Sequence, residues 1–240
     1  MDQQRTDAGA FPLTPWTQVT QARGDDTRAR ASMELLCKLY WVPLYAFARR
    51  QGLTPEEAED ATQGFFVQLL DGDTLSRVDR EKGRLRSYLL GALKNYLHNS
   101  RRAEATEKRG GRLQRVEFDT REVEAVCLQG REDGLTPDAF FERRWAATLL
   151  DHAMRDLEAE HRRTGKANVF AVLSDFITTH GKEAKHDEAA AKLGISEGAA
   201  RVAVHRLRKR YRELVRLQVA ATVATEDEVD DELRHLLSLY

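Results

Sequence analysis

Apolar residues recur every three or four positions along most of this chain, the period of helices with one buried face. No segment reads as a sheet, so the pattern predicts an all-α protein. Leu35, Leu36, Leu39, Tyr40, Leu44 and Phe47 mark a helix within residues 16–50, which Pro43 should kink or restart and Gly52 should close. Thr54-Pro55-Glu56-Glu57 is a capping box that starts a second helix over 55–70, with Ala58, Ala61, Thr62, Phe65 and Leu69 inward. A third runs from about Leu85 to Arg102 and turns Leu85, Leu89, Ala92, Leu93, Tyr96 and Leu97 inward. Residues 108–136 carry mixed charge, glycines and no period, the composition of a linker. Thr136-Pro137-Asp138 restarts a helix toward Arg163, and Phe170, Leu173, Phe176 and Ile177 continue a second core.

Residues Asp187 to Arg216 are the most informative stretch. They read as a short Ala-rich helix, a tight Leu193-Gly194-Ile195 turn and a second helix capped by Ser196. Ala200, Val204, Leu207, Tyr211 and Leu214 form one apolar face of that second helix. Val202, His205, Arg206 and Lys209 fall on the opposite side, with Arg201 and Arg208 on the flanks. This is the layout of a helix-turn-helix, whose second helix enters the DNA major groove by its N-terminal half. The predicted organisation is two helical domains: 1–107 with a loose polar arm at its start, linker 108–136, and a helix-turn-helix domain over 137–217. An acidic amphipathic tail, 218–240, follows. The tail has its own capping box, Thr225 to Glu228, and an apolar face of Val229, Leu233, Leu236, Leu237 and Tyr240.

The net charge of −1 hides a segregation. From Arg77 to Arg115 twelve basic residues face four acidic ones, and from Arg201 to Arg216 seven face Glu213 alone. Phosphate attraction is local, within a Debye length of about 10 Å, so these blocks matter more than the sum. Two cysteines, Cys37 and Cys127, lie far apart with no CxxC, and Cys37 sits in an apolar helical stretch that predicts a core position. That usage predicts a protein of the reducing cytoplasm with no disulfide framework. No apolar run reaches the roughly 18 residues of a membrane span, and no signal pattern opens the chain.

The helix 85–102 presents Ser87, Lys94, His98 and Arg101 outward, flanked by Tyr88, Asn95 and Arg102 and preceded by Arg80, Lys82, Arg84 and Arg86. Cations track phosphates, rings stack on unpaired bases and amides read base edges, so this mixture suits single-stranded nucleic acid. A solvated basic face with Tyr88 and Tyr96 in the core is the alternative. On helix 55–70, Asp60, Gln63 and Val67 point outward with Phe66 on the flank, which suggests a protein-docking surface. The competing expectation is an amphipathic helix with Phe66 in its own core. The sequence has no phosphate-binding loop, dinucleotide fingerprint, HExxH or GxSxG, and its histidines are scattered. Catalysis, a cofactor and a metal site are not expected.

In this order the elements resemble the bacterial sigma-70 family in its short, two-domain extracytoplasmic-function form. Residues 58–69, AEDATQGFFVQL, resemble the helix that docks on the clamp coiled coil of the large RNA polymerase subunit, with Asp60, Gln63 and Phe66 at the family's positions. Residues 84–102, RLRSYLLGALKNYLHNSRR, resemble the helix that reads and melts the −10 promoter element, with Arg86, Leu89, Asn95 and Arg102 matching. LGISEGAARVAVHRLRKR resembles the −35-reading helix-turn-helix, its contact positions falling on Arg201, Val202, His205 and Arg206. Tyr88 stands where many relatives have Trp, Asn99 where many have Asp, and Ala199-Ala200 where Thr-Val is usual.

The resemblance implies a sigma factor: a promoter-specificity subunit with no catalysis of its own, whose partners are core RNA polymerase, promoter DNA and, as a further candidate, an anti-sigma factor. Asp60, Gln63 and Phe66 would hold polymerase. Lys82, Arg84, Arg86, Tyr88, Lys94, Asn95, Arg101 and Arg102 would hold the melted strand. Ser196, Arg201, Val202, His205, Arg206 and Lys209 would anchor upstream duplex. A stand-alone regulator that binds duplex DNA as a dimer through the tail is the rival, and a sigma-like decoy for an anti-sigma factor is a third possibility. For the tail, one expectation is a Leu233/Leu236/Leu237 face folded on the helix-turn-helix domain, competing with DNA for its basic helix; the alternative is a solvated amphipathic helix that merely extends the domain core.

Overall fold

Among the described residues the periodicity is realised as helices. The structure, a computed structural model, describes residues 27–71, 84–104, 123–125, 127, 134–178, 185–223 and 225–240, and no strand occurs among them. The helices are α1 (Thr27–Arg50), α2 (Pro55–Asp71), α3 (Leu85–Glu104), α4 (Pro137–Arg163), α5 (Ala167–Leu173), α6 (Asp175–Thr178), α7 (His186–Leu193), α8 (Glu197–Ala220) and α9 (Asp227–Ser238). None is long and apolar enough to cross a membrane.

The chain forms two compact units, and their limits differ from those read from sequence. The first comprises residues 1–148 together with 220–240; the second is 149–219. The physical reason is aromatic. Phe140, Phe141 and Trp145, in the first turns of α4, are buried in the first unit, where Phe140 packs with Ala46 and Cys127 and lies under the Arg50 guanidinium. The stretch expected as linker is partly committed too. Glu124 accepts hydrogen bonds from Arg49 Nε at 2.6 Å and from Nη2 at 2.9 Å, and Cys127 is buried.

In the first unit α1 packs on α2 and α3, and α2 on α3. Pro43 does not break α1, which continues through it. Leu39, Tyr40, Leu44, Tyr45 and Phe47 are all buried around it, and that packing outweighs the missing amide. The Thr54 box forms as read: Glu57 N–H donates to Thr54 Oγ1 at 3.2 Å, and Thr54 N–H to Glu57 Oε2 at 2.8 Å. Cys37, expected in the core, is half-buried, whereas Cys127 is the buried thiol.

In the second unit the later turns of α4, together with α5 to α8, bury Leu149, Leu157, Phe170, Leu173, Phe176, Val204 and Leu207. Arg210 Nε and Nη2 donate to Glu160 at 2.9 and 2.6 Å, and Arg208 donates twice to the Phe176 carbonyl, fixing α8 to α4 and α6. The Arg210 guanidinium holds the Glu160 carboxyl below its ordinary value of 4.5.

Candidate nucleic-acid interface

Between α7 and α8 the chain turns on Gly194, whose φ of 65° and ψ of 32° place it in the left-handed region that favours glycine. Ile195 N–H donates to the Ala190 carbonyl at 3.0 Å and closes the end of α7. Ser196 Oγ accepts from Ala199 N–H at 3.2 Å, so this predicted DNA contact is already the cap of α8. Ala200, Val204, Leu207 and Leu214 are buried as the apolar stripe requires, with Tyr211 half-buried and its hydroxyl donating to the Leu150 carbonyl.

Opposite that stripe, Arg201, Val202, His205, Arg206 and Lys209 are all exposed. Val202 is 51% exposed, a solvated apolar side chain amid cations, suited to a thymine methyl. Arg201 holds Glu197 at 2.6 Å on the same exposed face. Such a pair is worth roughly 0.2–1 kcal/mol and is easily exchanged for a base or a phosphate. Arg208, by contrast, is committed to Phe176.

A second polar surface lies along α3. Ser87, Lys94, Asn95, His98 and Asn99 are exposed, while Tyr88 and Tyr96 are half-buried. Burial raises the Tyr88 phenol, which stays neutral and able to donate. An open groove of about 420 Å³ runs here, floored by Phe65, Gly91 and Tyr96 and edged by Gln68, Ser87, Tyr88, Asn95 and Asn99. Its aromatic floor, small residues and amide rim suit a planar, hydrogen-bonding ring. Gln68, Gly91 and Asn99 were not singled out from sequence as site residues. The spacing of four that aligns Ser87, Gly91, Asn95 and Asn99 on one face was the available signal.

Several predicted positions lie elsewhere. Arg86 is 4% exposed: its Nε donates to Glu142 at 2.7 Å, its Nη1 pairs with Glu232, and it lies over the Trp145 ring. Burial pulls this guanidinium below its usual value, against the pull of Glu142. It is a buried structural cation, not a free strand contact. Arg84 is partly exposed and pairs with Glu232 at 3.1 Å. Lys94 is exposed, paired with Asp138 and set over the Phe47 ring. Arg80, Lys82 and the side chains of Arg101 and Arg102 lie outside the described residues.

On α2 the docking expectation is corrected at two of three positions. Phe66 is 5% exposed, stacked on Trp41 at 5.9 Å and edge-on to Phe65 at 5.7 Å, and Gln63 is buried. The stack on Trp41 of α1 draws Phe66 inward. Asp60 remains exposed and Val67 half-exposed.

The tail expectation changes as well. α9 belongs to the first unit, not to the unit that carries α8. Val229, Glu232 and Leu236 are its buried face, and Leu237 is exposed. Among the described residues no three His, Cys, Asp or Glu side chains converge as a metal site. No family model, curated protein or solved structure matches the chain.

Proposed function

We propose that the chain is a bacterial sigma factor, a promoter-specificity subunit that binds core RNA polymerase and directs promoter recognition and melting. The observation that carries this is the exposed row Arg201, Val202, His205, Arg206 and Lys209 on a helix that follows a left-handed glycine turn. In the proposal α7 and α8 are a helix-turn-helix, and the row enters the major groove of upstream duplex. The α3 groove takes an unstacked base of the melted strand between Tyr88 and the amides of Asn95 and Asn99, with Arg84 and Lys94 toward phosphates. Asp60 is the α2 position left for polymerase contact. Two weak DNA contacts and one protein contact on a single chain reinforce one another by effective concentration.

Transcription from DNA selected with reconstituted polymerase tests the whole proposal. Arg206→Ala is expected to cost roughly 1–3 kcal/mol of duplex affinity and to relax preference at one base pair. Equal loss on every sequence would make Arg206 a phosphate contact. A second reading has support from one observation: the burial of Phe66 and Gln63 removes two of the three polymerase-docking positions. A stand-alone duplex-binding regulator then follows, and failure to co-purify with core polymerase while footprinting a palindrome would favour it.

A further inference from the structure

Glu232 is a carboxylate 2% exposed, contributed by the last helix of the first unit to Arg86 of α3 and to Arg84, the residue just before that helix. Arg84 and Arg86 supply two positive charges; Glu142 and Glu232 balance them. Glu142 is shared, since His235 Nε2 also lies 2.9 Å from it. If α9 lifts, Glu232 and His235 leave together, and the two arginines keep only Glu142. Arg86 then keeps Glu142 but loses its second carboxylate, and Arg84 loses Glu232, so the vacated seat carries one uncompensated positive charge that attracts another anion. Arg84 already reaches solvent at its edge.

We infer that α9 is a releasable latch whose Glu232 occupies an anion seat on Arg84 and Arg86, and that a backbone phosphate of single-stranded nucleic acid replaces it when the latch opens. Arg84 stands one helical turn before Ser87 and Tyr88, with the Tyr88 N–H donating to its carbonyl at 3.1 Å, so a strand in the α3 groove brings phosphates toward the Arg84 side of the seat. The inference rests on the reading of α3 as a strand-holding helix. α9 is suited to release. Twelve residues are too few for a stable helix alone, and its apolar anchoring comes chiefly from Val229 and Leu236. Its outer side carries Asp227, Asp230 and Asp231, the last paired with Arg234. Latch and strand therefore exclude each other by competition for the arginines.

The test titrates a labelled, mixed-sequence single-stranded DNA with the full chain and with full-length variants. Leu236→Asp drives a charge into the buried face of α9 without touching the arginines. It should tighten strand binding roughly tenfold, the worth of a charge-assisted contact. The salt dependence should steepen by about 0.7 per phosphate gained. Adding Arg84→Ala should remove most of that gain. On the unaltered chain, amide exchange across 227–238 should speed up when the strand saturates.

Binding no tighter in a Leu236→Asp chain with unchanged circular dichroism overturns the latch. Exchange across 227–238 unmoved by bound strand overturns it equally, even where Leu236→Asp fails to fold. Asn95→Ala reports on α3 apart from α9. If it weakens binding while opening α9 adds nothing, the latch alone is wrong. If no form of the chain binds the strand, the reading of α3 fails and the latch falls with it.

Discussion

Replacing Phe66 by alanine separates a core residue from a docking residue by the size of one number. At 5% exposure the ring is withdrawn from water, and burying an aromatic side chain removes roughly 150–250 Å². At about 25 cal/mol per Å² the lower figure alone corresponds to about 4 kcal/mol. The stack on Trp41 and the edge contact with Phe65 each add about 0.5–1.5 kcal/mol, and partial collapse of the cavity returns some of it. A net loss of about 3–5 kcal/mol is expected, against a typical total stability of about 5–15. Urea unfolding followed by tryptophan fluorescence is the assay, since Trp41 touches the substituted ring and Trp145 lies in the same unit. With a urea slope of about 2 kcal/mol per molar, the midpoint should fall by about 2 M. A shift below about 0.5 M, accompanied by lost polymerase binding, would refute this and return Phe66 to the surface. Loss of polymerase binding with the large shift says nothing about a contact.

Gly64→Ala should destabilise the first unit by about 1 kcal/mol net: its new methyl meets the Tyr96 hydroxyl, which outweighs the helix-propensity gain. Tyr96→Phe in the same chain should recover most of the loss in a double-mutant cycle. Gly91→Leu should leave folding intact, because a Cβ there meets nothing within 4 Å, yet weaken single-strand binding by filling the groove. Burial pushes the Cys37 and Cys127 thiols up to about 11, so alkylation followed by mass spectrometry should be slow at neutral pH and accelerate as pH rises toward that value. The depressed Glu160 carboxyl contributes stability above its ordinary 4.5 that is lost as pH falls through its lower folded value. Arg210→Ala should remove most of that acid-side dependence in melting of the second unit and cost only about 0.5–1 kcal/mol elsewhere, because the pair is partly solvated.

The sequence was most legible where the determinants are local. Thr54 with Glu57, Ser196, Gly194 and the Ala200–Leu207 stripe each act within a turn or two, and the structure carries all of them. Helical phase placed Phe66 on a flank, where either exposure or burial was open. The aromatic face of α1, invisible to the phase of α2, decided for burial. Arg86 was read as a surface cation because its partners are remote: Glu142 lies 56 residues on and Glu232 lies 146. The same long range hid the division within α4, since Phe140 and Trp145 look like any apolar stripe until their partners are known. Charge type marked α3 and α8 correctly as basic, but only packing shows which cations already have a carboxylate.

The return of α9 to the first unit has a consequence for synthesis. Residues 220–240 complete that unit, yet they leave the ribosome after the whole of the second unit has been made. A nascent chain therefore spends an interval with Arg84 and Arg86 made but lacking Glu232, a closure 146 residues away in sequence from Arg86. Contacts of such separation form late, after loop-closure entropy has been met. During that interval the growing chain is at its most cationic around α3, beside the RNA-rich surface of the ribosome. Translation stalled before Glu232 would leave the first unit in that state, competent in outline but without its last counter-charge.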